Sequence, residues 1–342
     1  MKASYYNCDK TFTLGACCPA EPKSGEVRIR VAYCGLCGTD LHVYHGNMDA
    51  RVGCERIIGH EMSGTVEAVA TDVRDIAIGD NVVVRPLEHC KECAACHNGN
   101  GHICQNLKFL GLDTDGALQQ SWTVNRHTVH KLPDEVSLKH AALVEPTAVA
   151  CHDVSRSRMI AGEDVLVIGG GPIGILISMV AKQKGGNVVI SEINEQRLSI
   201  ANNLGFDTIN PSRVDVGKYM YETTGQKGAD VIFEVSGTQA GVHCMTSAAA
   251  ARARIVMVAI HAEQPLIDLF QFFWREIELL GARVYTADDF DAAIQMIASG
   301  SIDCDSIITN VQGLDKVGEV LADLSRNPSA LKSLIQVGEA VA

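Results

Sequence analysis

The chain has 342 residues, 46% of them apolar, and carries 41 acidic against 29 basic side chains for a formal net charge of −12. That length points to about two domains, and an acidic chain without a Lys/Arg block argues against nucleic acid as a partner, because neutralising phosphates needs clustered cations. The longest uncharged run, Val165–Ala181, is broken by GGGP and is shorter than the roughly 20 apolar residues of a membrane span, and the N-terminus lacks the basic stretch and apolar run of a secretory leader, so a cytoplasmic protein with no membrane partner is expected.

In chain order, the first part reads as short strands: EVRIRVAYC (26–34), GTVEAVA (64–70) and NVVVRP (81–86), separated by Gly/Asp turns. VRIRVAY alternates apolar and polar residues, the pattern of a half-buried strand. Such strands imply a small, partly barrel-like β domain. After about residue 150 the texture changes. DVLVIGG (164–170) is a continuous apolar strand of the fully buried kind, followed by a helix over Pro172–Lys184, the strand NVVIS (187–191) and a helix through EQRLSIANNLG. ADVIFEVSG (229–237) and RIVMVAI (254–260) are two further buried strands with alanine-rich helical sequence between them, and ELLGARVY is another strand, ending near 285. Strands alternating with helices predict βαβ units and a parallel sheet. The segment from about 288, opening with the helix DDFDAAIQMIASG (288–300), is expected to pack back on the first domain.

Three groups of residues carry chemistry. Gly169, Gly171 and Gly174, within GGGPIG with Pro172 and Ile173, match G-x-G-x-x-G where a buried strand gives way to a helix. In that context the glycines allow a tight turn, close approach of a pyrophosphate and tight helix–strand packing, and the helix start offers free N–H groups. Glu192 follows 18 residues past Gly174 at the end of NVVISE. A carboxylate there accepts hydrogen bonds from the adenosine ribose and repels a 2′-phosphate, which favours NAD over NADP. Arg197 is assigned to the same cofactor.

Second, Cys90, Cys93, Cys96 and Cys104 have the spacing C-x2-C-x2-C-x7-C in a Gly/Asn-containing loop. Four thiolates suit a closed tetrahedral zinc, a structural site; an iron–sulfur cluster uses the same ligands. Third, CGLCGTDLH supplies Cys37, Thr39, Asp40 and His42, GHEMSG supplies His60 and Glu61, and LVEPTAV supplies Glu145. A thiolate, an imidazole and carboxylates form a mixed set that suits a zinc with an open position. The chain has 13 cysteines. With no export signal they are read as reduced thiols, and Cys8, Cys17, Cys18, Cys54, Cys151, Cys244 and Cys304, outside these groups, mostly as buried structural ones.

Together these residues resemble the zinc-dependent medium-chain alcohol dehydrogenases, in particular the sorbitol, threonine and butanediol dehydrogenase branch. GHEMSGTVEAVATDV fits the family's zinc signature G-H-E-x2-G-x5-[GA]-x2-[IVSAC], and the order of motifs matches over essentially the whole chain. The resemblance implies an α/β fold: a GroES-like β-rich catalytic domain with its structural zinc lobe over residues 1–150, completed by 289–342, and a Rossmann NAD-binding domain over 151–288, with the active site between domains. It implies Cys37 and His60 as ligands of a catalytic zinc, with Glu61 or Glu145 completing the set, and Cys90, Cys93, Cys96 and Cys104 on the second zinc. Asp40 is implied to orient the ligand histidine, Thr39 to bond the substrate hydroxyl, and His42 to end a proton relay. The implied reaction is reversible hydride transfer from a secondary alcohol, a polyol or sugar alcohol, to NAD+. L-Threonine 3-dehydrogenase and vicinal-diol (butanediol) dehydrogenase are the alternatives within this class, and a non-catalytic, zinc-stabilised NAD-binding regulator is the alternative outside it. GALQQSW (116–122) departs from the family's G-G-x-A-E-Y-like sequence, which bears on the pocket wall; Tyr44 and the Phe109–Leu118 segment are the candidates for that wall. A homotetramer or homodimer is implied.

Overall fold

Val27, Ile29 and Val31 are fully buried while Arg28 and Arg30 between them are not, so the strand Glu26–Leu36 begins as the alternating strand its sequence predicts. Beyond Val31 the alternation fails and Val31 and Ala32 are both buried. The cause is an irregularity in register against the strand Glu61–Val69, between Val31 and Tyr33; a bulge of this kind turns consecutive side chains to the same side.

The computed structural model describes residues 1–327 and 330–338. The chain divides into two units, Met1–Glu145 with Thr286–Ala342, and Pro146–Tyr285. In the first, a seven-stranded sheet runs in the order Val129–Lys131, Asn81–Val84, Glu61–Val69, Glu26–Leu36, Lys332–Gln336, Ile308–Gly313, with Ser121–Asn125 also paired to Glu26–Leu36. Glu26–Leu36 is its hub: it pairs antiparallel with Glu61–Val69, with Ser121–Asn125 and with Lys332–Gln336. A smaller sheet pairs Lys2–Tyr6 with Phe12–Ala16 and with Arg56–Ile57. Leu87–Glu88 and Lys108–Phe109 pair at the base of the four-cysteine loop.

The second unit holds a six-stranded parallel sheet in the order Asp207–Ile209, Asn187–Ser191, Asp164–Ile168, Ala229–Glu234, Ala249–Met257, Glu278–Gly281. Strand order reverses between Asp164–Ile168 and Ala229–Glu234, the switch point at which doubly wound sheets bind nucleotides. Val165, Leu166 and Val167 are fully buried, as a strand covered on both faces requires. The alanine-rich segment expected to be helical is divided: Gln239–Ala248 is helix, but Ala249 onward is strand. Parallel pairing with Ala229–Glu234 buries Ala249 and Ala250, and that context outweighs the intrinsic helix preference of alanine. The strand expected to run to residue 285 ends at Gly281.

One expectation about the cysteines is corrected. Cys8 and Cys54 are joined in a disulfide, with Cα atoms 5.1 Å apart. The pairing of Lys2–Tyr6 with Arg56–Ile57 delivers both residues to the same edge, a juxtaposition 46 residues apart in sequence that local pattern does not reveal. Cys18 is exposed rather than buried; Cys17, Cys151 and Cys304 are buried and stand outside the disulfide.

Candidate active site and cofactor site

The centre of the first unit is built where two strands end. Gly35 pairs with Glu61 across the sheet, so the residues that follow Leu36 on one strand and precede Glu61 on the other are neighbours. Those residues are Cys37 and His60. Cys37 Sγ lies 3.3 Å from His60 Nε2, and one donor atom each from Cys37, His60 and Glu61 lie within 4.8 Å of one another. Cys37 also caps the short helix Gly38–Tyr44: its sulfur accepts from Thr39 N–H, and Asp40 accepts from the Cys37 N–H at 2.9 Å. This capping box fixes Thr39, Asp40 and His42 on a helix that starts at the ligand sulfur. Thr39 and His42 are three apart and share a face.

His60, Glu61 and Asp40 are all buried. Asp40 Oδ1 and His60 Nδ1 face each other at 3.9 Å, and neither atom has a hydrogen-bond partner closer than that. Phe109 stands edge-on to the imidazole with ring centroids 5.0 Å apart, which places one of the proposed wall residues against a site residue. Glu61 makes a buried ion pair with Lys332, Nζ lying 2.9 and 2.8 Å from its two oxygens. Burial works against the Lys332 ammonium, but Glu61, Cys37 and Glu145 outweigh it and hold its pKa above the ordinary lysine value. Glu145, in the first turn of the helix Val144–Arg156, is buried; it is not part of the three-atom cluster, though its charge acts on Lys332.

These donors fit a zinc ion. In tetrahedral coordination a sulfur at about 2.3 Å and a nitrogen at about 2.0 Å stand roughly 3.5 Å apart, close to the Cys37–His60 separation of 3.3 Å. Burial, and then Asp40 and Glu61, push the Cys37 thiol well above its usual pKa. A thiol so placed is a poor free nucleophile and ionises only against a cation. The four-cysteine loop fits a second zinc. Its sulfurs are 3.4 to 4.0 Å apart in the measured pairs, against about 3.8 Å for a tetrahedral all-sulfur shell. N–H groups of Cys90 and Asn106 point at Cys104 Sγ, and backbone donors from Cys96 and Gln105 draw the Cys93 thiol down to about 6.

In the second unit Gly169 has φ +108°, a conformation side chains disfavour, and a Cβ at Gly174 would stand 1.9 Å from Gly169 O. Gly171 is the N-cap of the helix Pro172–Gln183, makes no side-chain cap, and is followed by Pro172 and Ile173 in the first turn. The helix start therefore presents uncapped N–H groups. Glu192 is pinned beside it: one oxygen accepts from Gly170 N–H at 2.8 Å, the other from Ile193 and Asn194 N–H at 2.7 and 2.8 Å. The Arg197 guanidinium lies 3.7 Å from Glu192 and beside Gly171. All seven residues assigned to the cofactor thus converge on one corner of this unit.

Sequence reading missed Lys332 and Gly35. Lys332 opens the strand KSLIQ and belongs to no motif; its signal is a lysine at the start of a buried strand. A Cβ at Gly35 would meet Glu61 Oε2 at 2.1 Å.

A doubly wound parallel sheet, a β-rich unit and two cysteine-bearing metal-type clusters define a zinc-binding, dinucleotide-linked oxidoreductase. Comparison with known proteins agrees. Residues 23–134 match the family model of the alcohol dehydrogenase GroES-like domain and residues 172–299 that of the zinc-binding dehydrogenases. The chain is 52% identical over 336 residues to the 2-dehydro-3-deoxy-L-galactonate 5-dehydrogenase of Pseudoalteromonas atlantica, covering 98% of each chain. The crystal structure of 2R,3R-butanediol dehydrogenase from Bacillus subtilis superposes with a TM-score of 0.91 at 29% identity, covering 98% of this chain and 99% of that one. An alcohol dehydrogenase from Escherichia coli CFT073, solved with NADH, superposes with a TM-score of 0.91 at 26% identity, covering 98% and 99%. The chain belongs to the zinc-dependent medium-chain alcohol dehydrogenase family. It is a zinc-dependent alcohol oxidoreductase of small-molecule substrates, with the GroES-like and Rossmann architecture its sequence predicts. Among the described residues no helix is long and apolar enough to cross a membrane.

Proposed function

We propose that the enzyme oxidises a secondary alcohol of a polyhydroxylated substrate, a polyol or sugar acid, with NAD+, and reduces the corresponding ketone with NADH. The observation that carries this reading is the cluster of Cys37, His60 and Glu61 donor atoms within 4.8 Å, with Thr39 and His42 on the helix that Cys37 caps. The 52% identical relative, named for the 5-dehydrogenation of a sugar acid, supports the substrate class.

Cys37 and His60, with a carboxylate, would hold the catalytic zinc, and Cys90, Cys93, Cys96 and Cys104 the structural one. When bound, the catalytic zinc supplies Lewis acidity at the substrate oxygen and the nicotinamide supplies the hydride acceptor. Asp40 faces His60 Nδ1, so it fixes the ring's orientation and leaves Nε2 for the metal. The Thr39 hydroxyl accepts a hydrogen bond from the substrate hydroxyl and, as it takes that proton, gives its own to the relay that ends at His42. His42, one turn further along the same face, passes the proton to solvent. Phe109 covers the imidazole and keeps water from that side. Gly169, Gly171, Pro172, Ile173 and Gly174 receive the pyrophosphate, and Glu192 with Arg197 the adenosine ribose. The pinned Glu192 carboxylate supports NAD+ over NADP+, because a 2′-phosphate would face a buried negative charge.

The test is NAD+ and NADP+ reduction by the purified enzyme on sugar acids, polyols, vicinal diols and threonine. Turnover of a sugar acid or polyol with NAD+ is expected. Turnover of threonine alone, or preference for NADP+, would contradict the substrate or cofactor assignment.

Assembly as a homo-oligomer is part of the same proposal. The helix Leu269–Arg275 exposes Leu269, Phe270, Phe273 and Trp274, with the Phe270 and Trp274 rings stacked on each other. Glu278–Gly281 is the outermost strand of its sheet. An apolar face of this kind is costly in a monomer. Light scattering is expected to give a dimer or tetramer, and Phe273→Glu with Trp274→Glu to shift it toward monomer. A cytoplasmic location is proposed with it, and the Cys8–Cys54 bond is the feature that stands against a fully reduced compartment. A thiol count on protein quenched directly from cells tests that point.

A further inference from the structure

We propose that His261, anchored on the buried Glu234, is a positioning residue for the nicotinamide half of the cofactor: the pair pins the turn after Ala249–Met257 and so sets where Ile260 stands. This rests on the reading of the glycine turn, Glu192 and Arg197 as the pyrophosphate and adenosine half of the site.

A dinucleotide lies outside the carboxyl ends of the strands, across the point where strand order reverses. Here that point falls between Asp164–Ile168 and Ala229–Glu234. The glycine turn follows Asp164–Ile168 and Glu192 follows Asn187–Ser191, so the adenosine half takes that side. The nicotinamide half then belongs over the ends of Ala229–Glu234 and Ala249–Met257. Glu234 is the last residue of the first of these strands, and His261 lies shortly past the end of the second.

Glu234 is fully buried, and an ionised carboxylate in such a place must be paired. One oxygen accepts from Ser236 N–H at 3.0 Å, from Gly237 N–H at 3.2 Å and from the Ser236 hydroxyl. The other faces His261 Nε2 at 3.2 Å. That nitrogen is buried and has no hydrogen-bond partner elsewhere among the described residues. The Glu234 carbonyl accepts from Val258 and Ala259 N–H at 3.0 and 3.1 Å. One residue thus holds the turns after both strands, through its backbone and its side chain. The helix Gln239–Ala248 packs directly on the carboxylate through Gly241, where a Cβ would stand 2.5 Å from Glu234 Oε1. The first of these turns also abuts the pyrophosphate end, since a Cβ on Gly169 would lie 3.1 Å from Ser236 N.

The anchored turn sends neighbouring side chains opposite ways. The His261 side chain is 13% exposed, whereas Ile260 is 79% exposed. Ile193, just past Glu192 on the adenosine side, is 67% exposed. An isoleucine therefore stands free on each side of the switch point, where a dinucleotide brings one flat ring apiece, and burying it against that ring favours binding. His261 acts through Ile260: with the anchor gone, the turn no longer holds that side chain in one place, and a ring that is not held loses the alignment hydride transfer requires.

The experiment titrates full-length wild type and variants with NADH and, separately, with ADP, which fills only the adenosine half. His261→Leu is expected to weaken NADH about tenfold, as loss of one contact to a charged group implies, and to leave ADP affinity unchanged. His261→Gln, whose amide N–H still reaches toward Glu234, is expected to keep NADH affinity near that of the wild type. Ile260→Ala is expected to lose NADH affinity with ADP unchanged, and His261→Leu with Ile260→Ala to lose no more than Ile260→Ala alone, the non-additivity that acting through one side chain requires. A merely structural role for His261 predicts equal weakening of NADH and ADP and an additive double variant. Either of those results overturns the proposal, as does unchanged NADH affinity in folded His261→Leu. If His261→Leu does not fold, His261→Asn, whose shorter amide falls away from Glu234, takes its place with the same expectations. ADP that fails to bind the wild type would overturn the underlying reading of the glycine turn, and this proposal with it.

Discussion

Cys90, Cys93, Cys96 and Cys104 meet within one short loop, on a four-residue helix, Ala94–His97, and the turns around it. Cys37, His60 and Glu61 meet only because two strands pair in one register, and Lys332 reaches them from 271 residues beyond Glu61. The loop cluster is chemically uniform and closed. The strand-built cluster is mixed and surrounded by groups that each face one of its members: Asp40 on His60, Phe109 on the same ring, Lys332 on Glu61. A local loop needs its metal to hold it together, because little else does. A centre built on paired strands holds its geometry through the sheet and can leave a coordination position open for chemistry.

The largest effect that tests this contrast is loss of a ligand from each site. Cys37→Ser is expected to lower kcat/KM by roughly a thousandfold or more, as removal of Lewis-acid assistance worth several kcal/mol implies, with Tm near that of the wild type. Cys93→Ser is expected to do the reverse: a clear fall in Tm and protease cutting within the lobe, with activity falling only as folded protein is lost. Equal losses of stability in both would erase the distinction. Mild chelation probes it without mutation. The open site is expected to lose zinc first, so activity disappears while circular dichroism stays unchanged.

Next in size is Glu192→Ala, which removes a carboxylate bonded to three backbone N–H groups. NAD+ affinity is expected to fall about ten- to a hundredfold, as loss of hydrogen bonds to a charged group implies, and the preference over NADP+ to narrow. Titration of cofactor fluorescence measures both. The smallest effect concerns the wall. Arg51 is held by both Asp113 oxygens at 2.8 Å, and Asp113 accepts from Phe109 N–H at 2.7 Å. The Arg51 guanidinium holds the Asp113 pKa below its ordinary 3.8. A lowered carboxylate contributes stability that is present above its unfolded pKa and lost as pH falls through its folded one. Arg51→Met is therefore expected to be slightly less stable than wild type at pH 7, with the gap closing in acid below 3.8. A gap that persists in acid would assign the effect to packing.

How much of this was legible beforehand follows the same division. The four cysteines, the glycine fingerprint and Glu192 lie close in sequence, and spacing alone grouped them. Cys37, His60 and Glu145 carry no local pattern linking them; their association came from resemblance, and for Cys37 and His60 the pairing of Gly35 with Glu61 supplies the physical cause. Lys332 and the Cys8–Cys54 bond were not legible, because each depends on a strand pairing between distant segments that no periodicity encodes. The alanines from 249 onward misled for a related reason: propensity pointed to helix, and burial in a parallel sheet prevailed.

The measurement that bears most directly on the two-site account is zinc content per chain of the wild type, Cys37→Ser and Cys93→Ser, each assayed with NAD+ and a sugar-acid and polyol panel. The account predicts about two zincs in the wild type and about one, with a stable fold and no turnover, in Cys37→Ser. About one zinc in an active wild type, unchanged by Cys37→Ser, would contradict it.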